Sequence, residues 1–290
     1  MIFFNAIGFG LVTASILALC SVGLTLQFGV TNYINFAIGT FLTFGAYFAW
    51  VANTFVHMNI WVAMLVGGLC TAVLAVVLNL GIMQQFVRRE YPILFMLIVM
   101  FGLSLILQNT ILAIWGGNFK AYNLPTDHQF NLGPFLLTGT QLIIMLIAIV
   151  AMAGVYALLT FTKVGKAMRA MSDNPTLARN CGINTTLVTN FTWLLSGFLA
   201  GVAGVVLAIN ISSFQPSFGD DFEFVIFAAV IVGGIGRPYG AMVGALLIGL
   251  VTEVSAVWVN SSYKNDMAFA ILVLVLLLRP QGIFASEGKA

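Results

Sequence analysis

The sequence predicts an all-α polytopic membrane protein with eight full transmembrane helices plus one short or half-helix segment. Three observations predict it. Of 290 residues, 61% are hydrophobic and only 7% charged, where a soluble domain carries roughly 25% charged residues. Mean hydropathy is +1.06. The stretch 1–87 contains no Asp, Glu, Lys or Arg. So few charges cannot cover a water-facing surface, which excludes a soluble enzyme, a disordered scaffold and a nucleic-acid binder. The net charge of +2 is too small to indicate an anionic partner.

A helix crosses the bilayer core with about 20 apolar residues. Runs of that kind are 5–26, 34–53, 60–86, 93–115, 139–161, 187–210, 240–259 and 267–278, the last starting nearer Tyr263. The first lacks the basic flank and small-residue cleavage site of a signal peptide, so it is expected as a retained span. A ninth run, 222–235, has 14 residues and as a helix reaches only about 21 Å. It is either a thinly fitted span or a half-helix that enters and returns. No alternating ten-residue pattern suggests a barrel, and helices satisfy their backbone internally.

Orientation follows from Lys and Arg, which cytoplasmic loops retain in excess. With the N-terminus outside, Arg88, Arg89, Lys163, Lys166, Arg169, Arg179, Arg237, Arg279 and Lys289 fall inside, nine of the eleven basic residues. Lys120 and Lys264 stay outside with Asp127, Asp220, Asp221, Glu223 and Asp266. The C-terminus is then cytoplasmic. Cys20, Cys70 and Cys181 are isolated and carry no metal spacing, so neither disulfides nor a metal site are expected.

The longest inner loop, 163–186, holds the most chemistry. Lys163–Met171 reads as a basic continuation of the preceding span. Asp173 or Asn174 can then cap a second helix, 175–181, with Pro175 at its first position and Gly182 past its end. Seven residues make a helix about 10 Å long, which is not stable alone in water. Leu177, Ala178 and Cys181 offer it one apolar face to pack on. The plainer reading is a connector lying on its own membrane domain; the sharper is a coupling helix docked into a cytoplasmic partner.

This loop resembles the coupling loop of ABC-importer permeases, the branched-chain amino-acid group in particular. Arg169-Ala170, the turn Ser172–Pro175, Ala178 and Gly182-Ile183-Asn184 carry the likeness. LTLQFGVTNYINFAIGTFLTFGAY (24–47) and GGIGRPYGAMVGALLIG (233–249) resemble the second-span and C-terminal Gly-rich signatures of that family. One departure concerns the family's Asn-Phe-Ala-His-Gly-Glu, which here is Asn35-Phe36-Ala37-Ile38-Gly39-Thr40. The resemblance implies a single permease domain over 1–290 in a bacterial inner membrane. It also implies two ABC ATPase subunits, an extracytoplasmic solute-binding protein and a second, non-identical permease, although two identical chains would serve. Its expected coupling residues are Arg169, Ala170, Asp173, Asn174, Pro175, Leu177, Ala178, Arg179, Gly182 and Ile183.

The chain has no GxxxxGK[ST] phosphate cradle: Lys166 is followed by Ala167. It is therefore not expected to hydrolyse ATP or bind a cofactor, with ATP and Mg held by the partners. Transporters often place their pathway at Gly-broken helices in corresponding positions of two repeats. The broken stretches 29–45 and 219–240 follow spans of opposite direction, consistent with an inverted repeat. The alternative is close helix packing, the reading preferred for Gly197-xxx-Gly201 and Gly240-xxx-Gly244. Candidate pathway residues are Asn35, Phe36, Gly39, Gln108, Asn109, Gly233, Gly234, Gly236 and Glu253. Each polar one has a structural alternative, because Glu253 can snorkel and the amides can bond between helices. His57 and His128 read as solvated surface. Asp220, Asp221 and Glu223 are candidates for docking a binding protein. Expected cargo is amino acids, branched-chain or other hydrophobic ones, with urea or short amides as the alternative. A self-sufficient channel or secondary transporter would need its own coupling site, and an intramembrane enzyme would need paired catalytic groups that no span supplies.

Overall fold

The computed structural model describes residues 2–124, 129–132, 135–260, 263–279 and 282–284. The expected Asp127, His128 and Lys289 lie outside these. Twelve α-helices follow one another in the described chain: α1 (Ile2–Thr31), α2 (Ile38–Thr54), α3 (Ile60–Leu78), α4 (Gln84–Arg88), α5 (Ile93–Trp115), α6 (Gly139–Phe161), α7 (Lys163–Asp173), α8 (Pro175–Asn180), α9 (Thr185–Ile211), α10 (Phe218–Gly233), α11 (Pro238–Ser255) and α12 (Lys264–Leu278). A π-helical turn, Asn79–Met83, joins α3 to α4.

The polytopic helical reading holds, with corrections to its elements. Among the described residues, six helical stretches are long and apolar enough to cross a membrane: α1, α3 with α4, α5, α6, α9 and α11. α2, α10 and α12 have 17, 16 and 15 residues and fall short of that length. α2 starts at Ile38 instead of residue 34, because Asn32 adopts φ 59° and turns the chain out of α1. The loop before α6 is not wholly irregular: strands β1 (Gln129–Leu132) and β2 (Phe135–Thr138) pair antiparallel, Gln129 opposite Thr138. The basic segment at 163 does not continue α6. Thr162 breaks the helix and caps α7, its hydroxyl accepting from the Gly165 amide at 3.0 Å.

The chain packs as two compact units. One comprises Met1–Thr25, Pro125–Gly154 and Phe224–Ala290; the other comprises Leu26–Leu124 and Val155–Glu223. In the second unit, α2, α3 and α9 meet at backbone distance. A Cβ on Gly45 would stand 2.4 Å from Gly201 Cα, and one on Gly204 would stand 1.9 Å from the Leu42 carbonyl. Helices in lipid gain nothing by hiding from water, so van der Waals contact along small residues holds them. Gly197 meets Ala72 and Ala75 of α3, as the packing reading expects.

In the first unit, α10 and α11 form a helical hairpin. Gly233 and Gly240 abut each other's carbonyls, and Gly244 abuts the Ala229 carbonyl. The turn between them uses Gly234 at φ 105° and Gly236 at φ 83°, a left-handed region that glycine enters without steric cost.

Candidate functional site

Two features stand out, each built from the chain upward. The first is the loop 163–186. Asn174 caps α8, its side chain accepting from Leu177 N at 2.9 Å, and Pro175 occupies the first turn where no amide is needed. Gly182 at φ 84° closes the other end: its amide donates to the Arg179 carbonyl at 3.0 Å and that of Ile183 to the Ala178 carbonyl at 3.1 Å. These are the two bonds of a Schellman motif. Asn184 then caps α9 by accepting from Leu187 N at 3.0 Å. A single hydrogen-bonded turn thus joins α8 to α9.

The helix is one residue shorter than expected, ending at Asn180 because Cys181 leaves helical geometry. Its apolar face is also divided. Ala178 is buried, while Leu177 is 59% exposed and Cys181 exposed. Arg169, Asp173, Asn174, Pro175, Arg179 and Gly182 are all exposed, and Ala170 and Ile183 half-buried.

The second feature is the crossing of α2 and α10 at their N-termini. The connectors 32–37 and 212–217 are of equal length, and each opens on a left-handed residue, Asn32 at φ 59° or Ser212 at φ 64°. Gly39 and Gly219 follow at equivalent positions and touch: a Cβ on Gly219 would meet the Gly39 carbonyl at 2.0 Å. At the next position Thr40 Oγ1 donates to Asp220 Oδ1 at 3.5 Å and shares a 2.8 Å bond with Ser104 of α5. The Gly39 amide bonds the Glu223 carboxylate, which occupies the cap that Ala37 cannot provide.

This arrangement moves several expected residues. Glu223 is 6% exposed, so it is not part of an outer docking surface; it closes the N-terminus of α2. Asp221 is exposed and Asp220 half-buried. Asp220 lies ahead of the apolar run, and burial first, then the charge of Asp221, raises its pKa to about 6 against the pull of the Thr40 hydrogen bond. Asn35 is fully buried: Nδ2 donates to Gln27 Oε1 at 3.0 Å and Oδ1 accepts from Ala37 N at 2.8 Å. It ties the connector 32–37 to the end of α1. Phe36 is half-buried.

Asn109 does not turn inward; it is exposed and donates to the Leu105 carbonyl of its own helix at 2.7 Å. Gln108 is half-buried. Glu253 bonds Lys264 at 2.6 Å and Thr13 at 3.2 Å, which ties α11 to α12 and α1 within the first unit. Gly233, Gly234 and Gly236 build the α10–α11 hairpin. His57 is exposed, as expected. Ser104 and Gln27 were not anticipated, nor was Thr40 as a hydrogen-bonding partner. Hydroxyls and one amide in apolar runs resemble ordinary packing, and only the fold brings them together.

A family model described as branched-chain amino acid transport system / permease component matches residues 6–278. The high-affinity branched-chain amino acid transport system permease protein BraD of Pseudomonas aeruginosa is 30% identical, over 94% of this chain and 93% of its own. The corresponding LivH of Escherichia coli K12 is 30% identical over 94% and 92%. The ribose import permease protein RbsC of Escherichia coli K12 is 29% identical over 91% and 82%.

Proposed function

Because the chain belongs to the family of branched-chain amino acid transport system permease components, we propose that it forms the membrane conduit of an ATP-driven importer. The cargo is amino acids, branched-chain or other hydrophobic ones. Two cytoplasmic ATPase subunits, a second, non-identical permease and an extracytoplasmic binding protein complete the machine, in a bacterial inner membrane. The N-terminus lies outside and the C-terminus inside.

The observation that carries this reading is α8: a six-residue helix capped at both ends, with Leu177 59% exposed. A helix that short forms only against something, and an exposed leucine at its centre leaves a face for a partner. ATPases that close on nucleotide would move α8 and, through the Gly182 turn, α9. The conduit would then shift between inward-open and outward-open populations in proportion to the difference in affinity of its states for nucleotide-bound ATPases. The paired connectors, with Gly39 against Gly219 and Thr40 against Asp220, support an inverted repeat, since residues beside a two-fold axis meet their own counterparts. The conduit runs beside this crossing. Asp221, with Asp220 behind it, remains the candidate contact for a binding protein.

Thr40 favours a second cargo reading. The family's acidic residue is missing at that position, and a neutral hydroxyl suits an uncharged solute such as urea or a short amide. Uptake by the complete reconstituted complex, with a panel of amino acids, amides and urea, separates the two. In the same complex Arg179→Glu and Gly182→Val are expected to leave ATP hydrolysis running while uptake falls. Coupled transport at the wild-type ratio in both variants would refute the assignment of α8.

A further inference from the structure

We propose that the Asn79–Asn190 hydrogen bond carries the movement of the coupling loop into α3, with the π-helical turn Asn79–Met83 as the joint that takes it up. This rests on the importer reading above. Asn79 is 2% exposed, and its Nδ2 donates to Asn190 Oδ1 at 2.7 Å. The pair lies at the end of the α3–α9 seam. From one turn further along that seam the two helices are locked. Cβ atoms on Gly68, Gly197 and Gly201 would stand 2.9, 2.6 and 2.9 Å from Val202, Ala75 and Thr71. Sliding there is blocked, because close-packed small residues leave no slack.

Beyond the pair the character changes. The Gln84 amide reaches back five residues to the Asn79 carbonyl, so the α-helical ladder is opened by one residue. A Cβ on Gly81 would meet nothing within 4 Å. π-helical turns inside α-helices are uncommon and recur at functional sites, where a wider turn can change register at little cost. On the α9 side, Asn190 is five residues past Thr185, about 8 Å along the helix. The Gly182 turn joins that helix end to α8. A tilt of α8 therefore reaches Asn190 through hydrogen-bonded backbone, and Asn190 grips the first residue of the π-helical turn that follows α3. Asn79 is a positioning residue that acts through Asn190.

The test uses the whole complex in liposomes and reads solute transported per ATP hydrolysed. Asn79→Leu and Asn190→Leu are each expected to lower that ratio about threefold, the size of an average interhelical hydrogen bond in a membrane. ATP hydrolysis should persist, and the double variant should be no worse than either single. Unchanged ratios, or effects that multiply in the double variant, would overturn the proposal. Hydrogen exchange on the wild-type complex needs no variant to fold. Amides 80–84 should change protection between the nucleotide-free and vanadate-trapped states while 68–76 do not; equal behaviour of the two stretches would also overturn it. If Arg179 and Gly182 variants uncouple but the Asn79 variants do not, this inference fails alone. If the loop variants stay coupled, the reading of α8 fails.

Discussion

Gly45→Ala is the sharpest test of what holds the second unit together. The added Cβ would stand 2.4 Å from both Cα and the carbonyl of Gly201, where ordinary contact begins near 3.4 Å. Neither obstacle is a flexible side chain. The α2–α9 seam must therefore open by about 1 Å, and a gap of that size forfeits a quarter to a half of each dispersion contact along it. Gly67 of α3 packs on the Gly45 carbonyl, so the third helix loses contact as well. Overpacking of this kind costs about 1–3 kcal/mol, with no hydrophobic term in lipid to offset it. Gly102→Ala is the control: nothing lies within 4 Å of that site, and alanine improves helix propensity by about 1 kcal/mol. Thermal unfolding in detergent should show the two variants moving in opposite directions, with Gly45→Ala lowering the transition by several degrees. Equal stability of both would refute the backbone-contact account of this core.

Two further predictions concern charge. Lys264→Met leaves the Glu253 carboxylate, 17% exposed, with Thr13 alone; it should destabilise the protein by about 1–3 kcal/mol, less than a fully buried pair. Adding Glu253→Gln should recover most of the loss in the same unfolding assay, and failure to recover would show that the pair is not the cause. For Asp220, a folded-state pKa of about 6 against the ordinary 3.8 means that the folded state holds a proton more tightly than the unfolded chain. Its contribution to stability is therefore present at low pH and declines as pH rises from about 4 to about 6. The difference between wild type and Asp220→Asn should change over that window and be flat above pH 7; a flat difference throughout would place Asp220 in water.

Composition and periodicity were enough for the membrane class, the helical architecture and the capped loop. The signals at 174, 175 and 182 are local: an amide that caps, a ring that fixes φ, and a glycine that accepts φ 84° act within one turn whatever surrounds them. Gly197 was legible as packing for the same reason, since its small-residue spacing repeats along one helix face. Helix ends were less legible. In an apolar run, residues 32–37 and Thr162 look like any others, although Asn35 and Thr162 cap the chain locally and the distant Glu223 bonds the Gly39 amide.

Side-chain partners lay further out of reach. A carboxylate in an outer loop reads as surface until the crossing of two helices turns Glu223 against Gly39. Asn79 closes an apolar run and carries no signal of its own until α9 sets Asn190 beside it. Sequence alone determined that the chain is built of apolar helices and how the short helix between 174 and 182 begins and stops, because solvation and capping are properties of neighbours in the chain. Which helices touch, and which polar groups are thereby paired or buried, was decided by the tertiary structure. Lipid exerts no force that chooses among apolar faces, so shape and hydrogen-bond complementarity between segments distant in the chain make that choice.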